Sequence, residues 1–134
     1  MEERRGSLRR SAVALIGASW LCGAGEACEL PPGARLESER LAISYRTVPA
    51  EIGVGEQFEV MLAVCPKKNF NPSGEIKADA SMPEHKHGMN YRPSVAPLGA
   101  GRYRSQGWLF HMPGRWEFVF EVGGERLTDS VRIE

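Results

Sequence analysis

Short runs in which apolar and polar residues alternate, punctuated by glycine and proline, recur along this sequence and leave little choice of secondary structure. In "QFEVMLAVC" Phe58, Val60, Leu62 and Val64 fall on one face, and in "WEFVFEV" Trp116, Phe118, Phe120 and Val122 do the same. A period of two belongs to a strand with one buried face, and the helical period of 3.6 is nearly absent. Strands are expected over residues 41–48, 57–65, 75–81, 91–95, 102–110, 115–122 and 126–133. About seven short strands predict an all-β, immunoglobulin-like β-sandwich whose two sheets share one core. Gly123 and Gly124 suit a two-residue hairpin turn, and Pro113 with Gly114 suits the centre of a type II turn.

A chain of 134 residues has room for one such core. Its 17 basic and 17 acidic residues cancel, and no basic run interleaved with aromatics appears, so nothing supplies the electrostatic footprint of a nucleic-acid binder.

The first 27 residues differ in character from the rest. "MEERRGSLRR" is arginine-rich, "SAVALIGASWLCGAG" is apolar and small, and "GEA" places Gly25 and Ala27 where a signal peptidase expects small residues. The pattern predicts a secretory signal over 1–27, a mature domain over 28–134 and a periplasmic location. The apolar run of about a dozen residues is shorter than the roughly 20 of a spanning helix, and no later segment is longer, so no stable membrane span is expected after cleavage. An uncleaved anchor is the competing reading. Arg9 and Arg10 faintly resemble a twin-arginine signal, and neither Cys22 nor Cys28 follows a good lipid-attachment motif. Cys22 would leave with the signal. Cys28 and Cys65 then form an even pair in an oxidising compartment, which predicts a disulfide; thiolate ligation of a metal is the alternative.

If successive strands run alternately up and down the sandwich, counting them locates the loops. The loop after the third strand and the turn after the fifth then emerge at the same end, while Cys28 and Cys65 meet at the opposite one. This depends on the weak fourth strand being real.

The counting matters because every histidine lies in those two loops. "MPEHKHGM" holds His85 and His87, and "HMPG" holds His111. Three of the five methionines, Met82, Met89 and Met112, flank them. His85 and His87, one residue apart, would face the same side of an extended loop, with Gly88 turning the backbone beside them. Neutral imidazoles with thioether sulfur match copper, Cu(I) above all, better than magnesium, calcium or zinc. Asp79 and Glu84 are the available carboxylates for orienting such a site. The plainer alternative has Met82 and Met112 packing under proline-initiated turns and the histidines standing exposed beside Lys86.

Enzymatic readings find less support. Ser81 and His85 form no recognisable nucleophile and base, "GVGEQ" and "GAGRY" lack the lysine and helix of a phosphate-binding loop, and no carboxylate pair stands out. The expectation is a chain that is not an enzyme. Two functions follow. One is an exported copper-binding module, a carrier or accessory factor for a periplasmic redox enzyme, with metal ligands drawn from His85, His87, Met89, His111, Met112 and Met82. The other is a metal-free docking domain for a periplasmic protein partner, using Tyr91, Arg92 and Trp108 as anchors; core packing is the simpler role for Trp108.

"DASMPEHKHGMNYRPSV" followed by "GAGRYRSQGWLFHMPGRWEFVFEV" resembles the YtkA-like domains of bacterial exported proteins, which are related to the periplasmic part of FixH-type oxidase-assembly proteins. The resemblance covers roughly residues 42–133 and rests on the paired MPxHxHGM and FHMPGxW motifs. It implies an immunoglobulin-type sandwich similar to copper carriers of the CopC class. It also implies a role in copper handling or redox-enzyme assembly, with His85, His87, Met89 and His111 on the shared pattern. Unlike FixH-type proteins, no persistent membrane helix is expected here.

Overall fold

Alternation becomes nine strands in the computed structural model, which describes residues 28–134. The expected signal over 1–27, including Cys22, lies outside the described residues. The strands are β1 (Ala34–Glu37), β2 (Leu41–Val48), β3 (Gln57–Pro66), β4 (Lys77–Met82), β5 (His87–Gly88), β6 (Ser94–Gly99), β7 (Arg102–Leu109), β8 (Gly114–Val122) and β9 (Glu125–Ile133). They form two antiparallel sheets, ordered β1-β2-β3-β7-β6 and β5-β4-β8-β9. Without β1 and β5, the orders β2-β3-β7-β6 and β4-β8-β9 reproduce the A-B-E-D and C-F-G arrangement of a constant-type immunoglobulin sandwich. The seven expected strands supply that framework. The fourth begins three residues later than expected, at Ser94, because the chain from Met89 to Pro93 first crosses between the sheets. β1 and β5 are additions: a four-residue exposed edge and a two-residue ladder carry too few positions to show a period.

The core lies between the sheets where the alternation placed it. Phe58, Val60, Leu62 and Val64 from β3 face Trp116, Phe118, Phe120 and Val122 from β8, and all eight are buried. Aromatic rings make its centre: Phe110 stacks on Trp116 at 4.4 Å between centroids, and Phe58 meets Phe110 edge-on at 5.0 Å. Trp108 is fully buried here, with its indole N–H donated to Ser105 Oγ at 2.8 Å, so it is a core residue and not a surface anchor.

A part-buried polar link ties the two sheets together. Tyr45 of β2 donates its phenolic proton to Asp129 Oδ2 of β9 at 2.8 Å. Burial, reinforced by the Asp129 carboxylate, pushes the phenol pKa well above its ordinary 10.0. An unfolded tyrosine ionises near pH 10 while the folded one stays protonated. Stability present below that pH is therefore lost as pH rises, by up to about 1.4 kcal/mol per pH unit. Unfolding curves on either side of pH 10 check this, and the alkaline slope should flatten in Tyr45→Phe.

The turns follow local chemistry. Gly123 and Gly124, both at positive φ (55° and 82°), close the β8–β9 hairpin between Val122 and Glu125, as a two-residue type I′ turn requires. Gly114 has a positive φ, 127°, but well beyond the roughly 80° of the expected type II turn, and it already pairs with Ile133 as the first residue of β8 behind a bend at 112–113. A Cβ at Gly114 would stand 2.7 Å from Met82 Cε, the tip of a flexible side chain that can shift, so the positive φ is the larger obstacle to a side chain there. Gly114→Ala should therefore cost roughly 1–3 kcal/mol in urea unfolding, chiefly from backbone strain.

The ends of the sandwich are chemically distinct. Cys28 and Cys65 are joined by a disulfide with their Cα atoms 5.6 Å apart, Cys65 lying near the end of β3 where β2 begins. The end of β4, the end of β7 and the start of β8 lie at the other end, since Ser81 pairs with Glu117 and Leu109 with Gln57. Strand counting thus separates the disulfide from the histidines correctly.

Candidate functional site

Two loops build the histidine end. After β4 the chain turns through Pro83–Lys86, closed by His85 N–H donating to the Met82 carbonyl at 3.1 Å, and returns as β5. His85 and His87 therefore sit on a tight hairpin and not on an extended loop. Lys86 takes the left-handed conformation (φ 53°) that makes the turn, a role expected of Gly88. Gly88 lies within β5, where a Cβ would approach the Ala80 carbonyl to 3.2 Å. Outside the hairpin, Arg115 Nε donates to Glu84 Oε1 at 3.1 Å and pins the turn to β8. Asp79 accepts from the Ala80 N–H at 2.8 Å. Neither carboxylate is hydrogen-bonded to a histidine ring.

Register decides where the imidazoles point. Met82 faces the core and pairs with His87 across β4–β5, so the His87 ring lies on the inner side of its sheet, at the mouth between the two layers. His111 enters from the segment that leaves β7. Its ring centroid is 5.2 Å from that of His87, and the His85 centroid is 5.7 Å from that of His87. His87 is thus the ring that neighbours both of the others.

Trp116 underlies the rings. It is fully buried and meets His87 at 6.1 Å and His111 at 5.4 Å, both rings nearly perpendicular to the indole. Its Nε1–H donates to the Met112 carbonyl at 3.0 Å, fixing the segment that carries His111. Sequence reading assigned Trp116 to the core alone. Its place as the first inward side chain of β8, immediately after the "HMPG" bend, is the clue that it also supports the histidines.

The methionines divide. Met82 is 1% exposed and belongs to the core, as the packing alternative expects. Met89 and Met112 are half-buried against the core's edge at this end. His87 and His111 are half-buried, whereas His85 is exposed.

Two nitrogen environments stand out. His87 Nδ1 lies 3.3 Å from the Gly88 carbonyl. His111 Nδ1 is buried with no hydrogen-bond partner. Such an atom keeps the cost of desolvation without a compensating bond, unless a ligand supplies one.

A metal about 2.0 Å from an imidazole nitrogen lies roughly 3.1 Å from the ring centre, so two rings sharing it tetrahedrally have centres about 5 Å apart. The His87–His111 spacing of 5.2 Å matches that distance. Among the described residues, no three His, Cys, Asp or Glu side chains are already placed to hold an ion together. Met112 follows His111 in the chain and Met89 lies two residues past His87, both half-buried against the core's edge; imidazole combined with thioether sulfur is a donor set that suits a soft ion. Searches against protein-family models, curated proteins and solved structures find no match to this chain.

Proposed function

We propose that this chain is an exported copper-binding module that carries Cu(I) for a partner protein in the periplasm. The observation that carries the reading is the meeting of His87 and His111 from separate loops over Trp116, with His111 Nδ1 buried and unpaired. His87 and His111 form the ligand pair, Met89 or Met112 adds a thioether, and exposed His85 stands on the solvent side for entry and release. Met82 packs the floor. The resemblance of the two histidine motifs to YtkA-like exported domains supports the same reading, as does the N-terminal segment's likeness to a secretory signal.

The chain's own residues have three tasks in this reading. Trp116 and the Arg115–Glu84 pair hold the two loops in register, and Met82 and Met112 keep water from the inner side. Because His85 is exposed while His87 and His111 are half-buried, a partner's ligands can displace the donors one at a time, beginning at His85. Competition titration of the reduced-copper complex against a Cu(I) chelator tests the assignment. Tight one-to-one binding that survives zinc supports it, and binding no stronger than that of a histidine-free surface overturns it.

One observation favours docking. Tyr91, 76% exposed, follows β5 by three residues in the chain. As an aromatic anchor it would serve either a metal-accepting partner or a metal-free one. Partner binding that is indifferent to a copper chelator would favour the metal-free role.

A further inference from the structure

Histidine has two nitrogens, and this site treats them differently in its two inner rings. A neutral imidazole carries one N–H and one lone pair, and the bond made by one nitrogen decides which face the lone pair takes. In His87 the Gly88 carbonyl, 3.3 Å from Nδ1, can only accept, so the proton belongs on Nδ1 and the lone pair on Nε2. In His111 the situation reverses. Nδ1 is buried with no acceptor in reach, and the nearest indole proton is already given to the Met112 carbonyl. An N–H there would be a desolvated donor with nothing to bond, which is the costlier of the two arrangements. The proton belongs on Nε2 and the lone pair on the buried Nδ1.

We infer that the two rings bind Cu(I) through different nitrogens, His87 through Nε2 and His111 through Nδ1. This rests on the copper reading above and deepens it. Ligation through Nδ1 brings the ion close to the His111 backbone, down between the sheets beside Trp116 and within the methionine-lined edge of the core, and not out at the ring tips. It gives the orphaned nitrogen its partner.

Long-range proton–nitrogen correlation NMR on protein labelled with 15N-histidine tests this, first without metal and then with Cu(I) under reductant. The expected metal-free pattern is His87 protonated on Nδ1 and His111 protonated on Nε2. On adding Cu(I), His111 Nδ1 and His87 Nε2 should be the nitrogens that shift. A His111 ring protonated on Nδ1, or averaged between tautomers, overturns the assignment, as does a Cu(I)-induced shift at His111 Nε2. Expected tautomers with no response to Cu(I) would overturn the copper reading while leaving the tautomer assignment in place, so the two failures are distinguishable.

Discussion

Replacing both Cys28 and Cys65 by alanine should lower the unfolding free energy by about 4 kcal/mol while leaving the histidine rings in place. The bond closes a loop with a sequence separation of 37, and in the chain-entropy model a loop of that size restricts the unfolded chain by about this amount. Typical domains have only about 5–15 kcal/mol in hand, so the loss should be visible as a large fall in the urea midpoint. The site should be indifferent because the disulfide holds the opposite end of the sandwich, where Lys67 also donates to the Ser38 carbonyl at 2.7 Å. Urea unfolding of the double variant measures the first part, and histidine ring resonances of the folded fraction measure the second. A collapse of the ring resonances under native conditions would mean that the two ends are coupled, contrary to the strand layout.

His87→Ala should abolish the copper-dependent rise in stability. A ligand that binds only the folded state raises stability by about 2.7 kcal/mol at a hundredfold excess over its dissociation constant. His87 neighbours both other rings, within 5.2 Å of His111 and 5.7 Å of His85 by centroid, so its removal leaves no adjacent pair to share an ion. His85→Ala, at the exposed end, should keep most of the rise. Thermal unfolding with Cu(I), Cu(II), Zn(II) and no metal, at matched free concentrations, reads both variants. Equal effects at His85 and His87 would contradict the pairing of His87 with His111, and an undiminished rise in both would place the metal elsewhere. Without metal, His87→Ala should cost little, because the half-buried ring adds only edge contacts to a core closed by Trp116 and Phe110.

How much of this was legible beforehand differs between fold and site. Val60 and Phe118 announce their faces through neighbours two residues away, so the seven framework strands and both sheets' inner faces could be read from spacing. β5 could not. Two residues carry no period, and β5 exists because the Pro83–Lys86 turn folds His87 back onto Met82. The hairpin therefore replaced an extended loop, Lys86 replaced Gly88 as the turning residue, and Glu84 bonded to Arg115 instead of a histidine. Each difference arises from a contact between residues whose separation along the chain has no fixed rule.

The sequence by itself determined the strand faces, the hairpin at Gly123 and Gly124, and, through strand counting, that the histidines share one end and the cysteines the other. Those properties depend on a two-residue repeat and on glycine's tolerance of positive φ, both local to the chain. Only the tertiary structure decided that His87 neighbours both His85 and His111, that Met82 belongs to the core while Met89 and Met112 border it, and that Trp116 supports the rings. Those depend on the register between β4 and β5 and on how the β7–β8 connection packs over Trp116. A shift of one residue in either would turn the same side chains to the opposite face.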